Sequence, residues 1–442
     1  MKKTRENKNK NTRLKDLNSQ KAITLIALVV TIVVLLILAG VSLSLVLGEN
    51  GIINKAKEAG DKYGEATKNE QLELEKVDEW LEENTGSLYK PMITKWNIEA
   101  GNEVTIYLYY PMNYDNPVEN TTNVTIDWGD NEKETYTKDK LKYNGLLGYV
   151  THTYQNSNSE TVIEILGECN TINTYSPQLI SIEDWGYTGS SYYDFRSCDN
   201  LTTIASPRSN TFKNVISFDN TFSRCSNLTT IPADLFANCP QVTNFKMTFS
   251  KCTSITTIPE DLFANCTQVT NFYNAFSECT SLTTIPADLF ANCTQVTSFN
   301  GIFDGCTGLT NIPENLFANC TQVTNFEMTF SKCTSITTIP ENLFANCTQA
   351  TNFCSTFASC SNLISIPADL FANCTQVTNF NSTFNGCTNL TGEAITLWER
   401  VENGAGNGYQ GNPDGGGCYY GCTKLTNYDV IPEYWKSVIA PS

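Results

Sequence analysis

His152 is the one histidine among 442 residues, and Asp127 and Asp130 precede it in a segment rich in strand-forming residues. Two roles fit those residue types. An imidazole beside two carboxylates can act as acid and base or hold a metal ion, or it can brace the turn that carries the aspartates. The brace fits better, because Ser-His-Asp chemistry needs a positioned nucleophile and no G-x-S-x-G occurs. A P-loop, a G-x-G-x-x-G behind a strand and H-E-x-x-H are also missing. The expectation is a protein with no catalytic residues, no metal and no cofactor.

Cysteine is the other chemistry-bearing residue. Cys198, Cys225, Cys252, Cys279, Cys306, Cys333, Cys360 and Cys387 recur every 27 residues, and Cys239, Cys266, Cys293, Cys320, Cys347 and Cys374 form a second series. Fourteen of the 18 cysteines therefore follow one period. Strands pair about 4.8 Å apart, whereas a disulfide needs its β-carbons about 3.8 Å apart and suitably aimed, so both series read as small buried apolar residues. Disulfide staples and zinc are the alternatives. Structural zinc favours close pairs such as C-x₂-C, and Cys354 with Cys360 or Cys418 with Cys422 are wider. N-C-T triplets at Asn265, Asn292, Asn319, Asn346 and Asn373 match a glycosylation pattern, yet they are repeat positions first, and a stacked asparagine that satisfies a tight bend explains all five without sugar.

These residues belong to a repeating unit, TTIPADLFANCTQVTNF, a variable triplet and FSKCTSL, marked by Pro232, Pro259, Pro286, Pro313, Pro340 and Pro367 at an unbroken interval of 27. Apolar residues fall at every third position: Phe222, Cys225, Leu228 and Ile231, then Phe236, Cys239, Val242 and Phe245. That spacing is neither the 2 of a strand nor the 3.6 of a helix and suits a chain coiling around a narrow core. No single unit can bury its own apolar face, so the units must stack. The F-x-x-C-x-x-L-T-x-I-P pattern over residues 198–435 resembles the bacterial leucine-rich repeats of the BspA type, with the F-x-x-C turn doubled in each unit. The resemblance implies an α/β leucine-rich-repeat solenoid with 27-residue turns.

Residues 1–22 hold eight Lys or Arg against Glu6 and Asp16, a net of 8 minus 2, or +6, and residues 22–47 then carry no charge. A helix of that length spans a hydrocarbon core of about 30 Å, with the basic flank in the cytoplasm. The segment resembles a type IV prepilin leader, cut between Ala22 and Ile23, with Ala22 where that family has glycine and Ala27 where it has glutamate. A plain membrane anchor is the alternative. Residues 49–83 follow as a Glu-, Lys- and Ala-rich helical stalk ending at Asn84-Thr85-Gly86-Ser87.

From residue 87 the pattern turns to strands: Val104, Ile106 and Leu108 alternate with Thr105, Tyr107 and Tyr109. The run Val124-Thr125-Ile126-Asp127-Trp128-Gly129-Asp130, with His152-Thr153-Tyr154 and Val162-Ile163-Glu164-Ile165, resembles a PKD-type β-sandwich, with Asn131 at the position that usually holds glycine. Beyond the repeats, residues 393–401 suggest a short helix and residues 404–417 a glycine-rich loop, before Tyr419-Tyr420-Gly421-Cys422 restores the theme as a terminal turn.

The expected organisation is therefore a basic leader (1–22), a transmembrane helix (23–48), a stalk (49–86), a sandwich (87–170), repeats (171–390), a helix and loop (391–417) and a capping turn (418–442). Removing residues 1–22 takes the net charge from −17 to −17 minus 6, or −23, which disfavours nucleic acid as a partner. Variable triplets interrupt the repeats, and Lys246, Tyr273, Asn300, Glu327, Ser355 and Asn381 in them make a candidate binding stripe. The function that follows is adhesion by a single-pass cell-surface protein to a host or microbial protein or glycan. A minor pilin-like subunit with filament neighbours is the alternative.

Overall fold

The computed structural model describes residues 90–111, 119–400 and 413–437. The chain divides into two compact units, Met1–Leu88 and Tyr89–Ser442. The expected leader, transmembrane helix, stalk and Ala22–Ile23 processing site all lie outside the described residues. Among the described residues no helix is long and apolar enough to cross a membrane.

The described part is mostly β-structure. Strands β1 (Met92–Ile98), β2 (Glu103–Tyr109), β3 (Asn123–Asp127), β4 (Lys133–Thr137), β5 (Lys142–Asn144), β6 (Leu147–Thr153), β7 (Asn158–Glu168), β8 (Thr171–Asn173), β9 (Leu179–Asp184), β10 (Tyr192–Asp194) and β11 (Thr203–Ile204) form two sheets. Their orders are β11-β9-β1-β7-β3-β4 and β10-β8-β2-β6-β5. Alternation sets the faces: Val104, Ile106 and Leu108 of β2 and Ile163 and Ile165 of β7 are buried, and their neighbours along each strand are less so. Trp96, Trp128 and Trp185 fill the core.

Pairing is antiparallel except at one margin of each sheet, where β10 joins β8 and β11 joins β9 in parallel. From those margins the repeats grow. Phe195 N–H donates to Thr221 O (2.7 Å), Phe222 to Thr248 (2.9 Å) and Phe249 to Ala275 (2.8 Å), one coil handing on to the next. On the other side Thr202 N–H donates to Ile180 O (2.8 Å) and Thr229 to Thr202 (3.3 Å). Parallel bridges then run Ser217, Asn244, Asn271, Ser298, Asn325, Asn352, Asn379 and Asp414 without a gap. Each sheet thus supplies the first backbone partners of one side of the coils, so the first coil has no open edge there.

Inside a coil the three-residue spacing has a hydrogen-bond cause. Thr248 N–H donates to Phe245 O, Cys252 to Phe249 and Ile255 to Cys252, all 3.1–3.2 Å. Bonds from i+3 to i wind the chain at about three residues per turn, so every third side chain eclipses the last and points inward. An α-helix would rotate Phe236, Cys239 and Val242 out of line. The α/β character expected of the coils is accordingly not found: the described repeat residues carry no α-helix, and the one among the described residues is α1 (Glu433–Lys436). Phenylalanines stack from coil to coil, Phe245 on Phe272 at 5.6 Å and 8° and Phe249 on Phe276 at 5.5 Å and 14°.

At the far end the helix expected over 393–401 is a single 3-10 turn at Leu397–Glu399, with residues 401–412 outside the described part. Tyr419 continues a phenylalanine stack on Phe384 (5.7 Å, 13°), and Trp398 and Trp435 close over it. Arg400 donates to Phe371 O (2.9 Å), satisfying a carbonyl of the last full coil.

Candidate binding stripe and the aspartate–histidine turn

The stripe rests on a row of short polar side chains. Oδ1 of Asn244, Asn271, Asn325, Asn352 and Asn379 accepts from the backbone N–H two residues on, at 2.9–3.0 Å. Ser217 and Ser298 do the same with their hydroxyls, both at 3.2 Å. These Asx- and Ser-type turns bend the chain at each bridge and present the following residue on the outside. Lys246, Tyr273, Asn300, Glu327 and Asn381 form one column, since Met247 N–H donates to Tyr273 O, Asn274 to Asn300, Gly301 to Glu327 and Ser355 to Asn381.

Cys354, whose carbonyl accepts from Met328 N–H, is the fifth member of that column, and Ser355 sits one residue beyond it. Ser355 shares a left-handed row with Met247, Asn274, Met328 and Ser382, all at φ 52–55°. Asp219, one coil earlier, belongs to the column, and its carboxylate lies 4.0 Å from Lys246 Nζ. The triplet Asp219-Asn220-Thr221 before Phe222 follows the pattern of the later units and makes this member legible in the sequence.

The column is chemically mixed. Tyr273 is exposed, Lys246 is half exposed, and Glu327 accepts from Asn352 Nδ2 at 3.2 Å. Asn381 Nδ2 donates to Asp414 Oδ2 (3.0 Å). Beside it two ion pairs link neighbouring coils: Lys251 pairs with Glu278 (3.0 Å), and Lys332 reaches back to Asp304 of the preceding coil (3.4 Å).

Asp127, Asp130 and His152 hold a turn together. Asp127 Oδ1 accepts from Gly129 N–H (3.1 Å) and its other oxygen faces Lys133 (3.5 Å). Asp130 Oδ1 accepts from Glu132 N–H (3.2 Å), and Oδ2 meets His152 Nε2 at 2.8 Å. The imidazole stacks on Trp128 (4.9 Å, 14°) and abuts Tyr154 edge-on (4.6 Å). Asn131 takes the left-handed conformation, φ 73°, which asparagine tolerates. Every polar atom of the two aspartates is thus committed to the turn.

All 18 cysteines are free thiols, and all but the half-buried Cys354 are buried. One series donates S–H to the carbonyl 30 residues back, Cys252 to Phe222, Cys279 to Phe249 and Cys306 to Phe276, each at 3.1 Å. Burial pushes the thiols of Cys239, Cys279, Cys320, Cys360, Cys374 and Cys422 up to about 12. Such thiols keep their protons at neutral pH, which suppresses their nucleophilicity. Among the described residues no group of three or more His, Cys, Asp or Glu is placed to hold a metal ion. The triplet asparagines spend their amides on the preceding coil: Asn265 Nδ2 donates to Ala237 O (2.6 Å), Asn292 to Ala264 (2.7 Å) and Asn319 to Ala291 (2.9 Å).

Six copies of the repeat described as BspA type leucine rich repeat region match the chain, over residues 151–270, 181–307 and 274–396. Together these ranges span 151–396, more than half of its length. Among curated proteins none matches. Among solved structures the chain is similar to a leucine rich cell surface protein from Faecalibacterium prausnitzii A2-165, at 19% identity, covering 62% of this chain and 94% of that one, with a TM-score of 0.17.

Proposed function

The chain belongs to the BspA-type leucine-rich-repeat family, and on that premise we propose that it is a membrane-tethered surface protein whose repeats form an adhesive solenoid. The carrying observation is the column Asp219, Lys246, Tyr273, Asn300, Glu327, Cys354 and Asn381: it varies at every coil, while the residues packing beneath it scarcely change. A row of part-exposed, chemically mixed side chains on a rigid ladder is what protein or glycan recognition uses. The uncharged run at 22–47 is the tether, and the two sheets are a PKD-like sandwich that holds the solenoid outward. The role is non-enzymatic, with a surface protein or glycan as partner.

The test is adhesion by a non-adherent bacterium that displays the full chain, measured on immobilised matrix proteins and mucin. Adhesion should appear with the chain and disappear with Lys246→Ala, Tyr273→Ala and Glu327→Ala combined. Adhesion that persists in the triple variant would sink the stripe as the binding surface.

A further inference from the structure

The outer face of the five-stranded sheet carries a second candidate surface, remote in chemistry from the stripe. Val104, Ile106 and Val150 point into the core, so the alternate positions of β2 and β6 point away from it. Those positions pair across the strands as Thr105 with Thr151 and Tyr107 with Tyr149. Glu103, opposite Thr153, and Leu147, opposite Asn144, complete the outward positions of the two strands.

The rings run on beyond β6 and β2. Tyr107 lies 5.5 Å from Tyr149 at 45° and 5.6 Å from Tyr175 at 48°. The Arg196 guanidinium sits 5.7 Å from the centre of the Tyr175 ring. Tyr175 is 41% exposed, and Tyr107 and Tyr149 are half-buried. Asp194, fully buried beneath, takes Arg196 in a two-pronged ion pair and accepts from Tyr175 Oη (3.4 Å), so the outer rings are fixed from below.

We infer that Tyr149, Tyr107, Tyr175 and Arg196 form a twisted aromatic platform that binds a neutral, unbranched polysaccharide. Ring faces take the apolar C–H face of a pyranose, and the spacing of about one sugar between rings lets successive residues of a chain be used. The phenol hydroxyls and the guanidinium N–H groups not spent on Asp194 donate to sugar hydroxyls. Charge argues for a neutral occupant: Arg196 is neutralised by Asp194, Lys142 donates to Thr151 on a face that also carries Glu103, and the whole chain carries −17, which repels polyanions.

The experiment is depletion of the full-length chain from detergent solution by insoluble cellulose, xylan and mannan, with polyacrylamide beads as the blank. At least one of the three should retain it. Tyr175→Ala and Tyr107→Ala should each lower the apparent affinity about tenfold, equivalent to about 1.4 kcal/mol, while Tyr175→Phe keeps most of it. Tyr420→Ala, an exposed ring on the terminal turn outside both surfaces, should leave retention unchanged. Retention by none of the three, retention unaltered in both the Tyr175→Ala and Tyr107→Ala variants, or loss with Tyr420→Ala would each overturn the proposal. A thermal melt of Tyr175→Ala that matches the parent shows that any loss is one of binding.

Discussion

A buried thiol keeps its proton because the interior cannot solvate a thiolate, and here that rule acts many times over. The folded-state values lie above the ordinary one, so the stabilisation is complete below about 8.5 and is lost as pH rises towards about 12. Each such thiol weakens the fold by about 1.4 kcal/mol per pH unit across that window. The urea midpoint should therefore fall steeply above the ordinary thiol value; a midpoint flat to strongly alkaline pH would contradict the buried series. In the native state a disulfide reagent at mildly alkaline pH should titrate Cys354 alone, and all 18 thiols only after denaturation. His152 makes a second case. Replacing it with alanine removes the Asp130 bond and the ring stacked on Trp128, an expected cost of about 1–3 kcal/mol read from the same denaturation curve. Its partner was legible in the sequence only as a choice between two aspartates, and the geometry of the turn selected Asp130.

At the level of the coil, hydrogen bonds from i+3 to i fix which residues point inward, and the bridge ladder fixes which point outward. Gly301 shows how the two requirements meet. It stands at φ 64° in the left-handed row, and a Cβ there would overlap Asn274 Oδ1 of the preceding coil. Gly301→Ala should destabilise by about 1–2 kcal/mol, and adding Asn274→Ala should return part of that; thermal melts of both variants decide it. The period of three was plain in the residues, but its cause was not. A pattern of inward positions does not say whether the turns between them are helical, and only the three-residue hydrogen bonds excluded the α/β coil. The stripe was read one residue out at Ser355 for a related reason, because a triplet without its ladder has no fixed register.

For the whole molecule, stacking makes stability a sum over neighbouring coils, closed at one end by the two sheets and at the other by Tyr419, Trp398 and Trp435. Deleting one complete 27-residue coil, residues 299–325, should leave a folded chain with a lower midpoint, since the new neighbours present equivalent faces. Deleting only residues 299–312 should abolish cooperative unfolding, because it breaks both ladders; circular dichroism melts distinguish the two. The tether is tested by the N-terminal residue of the protein isolated from its native cells. Mass spectrometry should find the basic segment retained, and a chain beginning at Ile23 would replace the tether with a processed, pilin-like product.

The sequence by itself determined what repetition can encode: the 27-residue unit, its inward residues, the family and the stacked architecture, because an unbroken period leaves a chain few ways to bury its apolar face. Strand alternation likewise announced the sheets. Only the tertiary structure decided that each sheet hands its parallel margin to one side of the coils, that the asparagine and thiol series spend their polar atoms on the preceding coil, and that tyrosines from β2, β6 and the β8–β9 connection meet on one face. Those are contacts between residues far apart in the chain, where no local pattern of types or spacing records which partner each side chain will find.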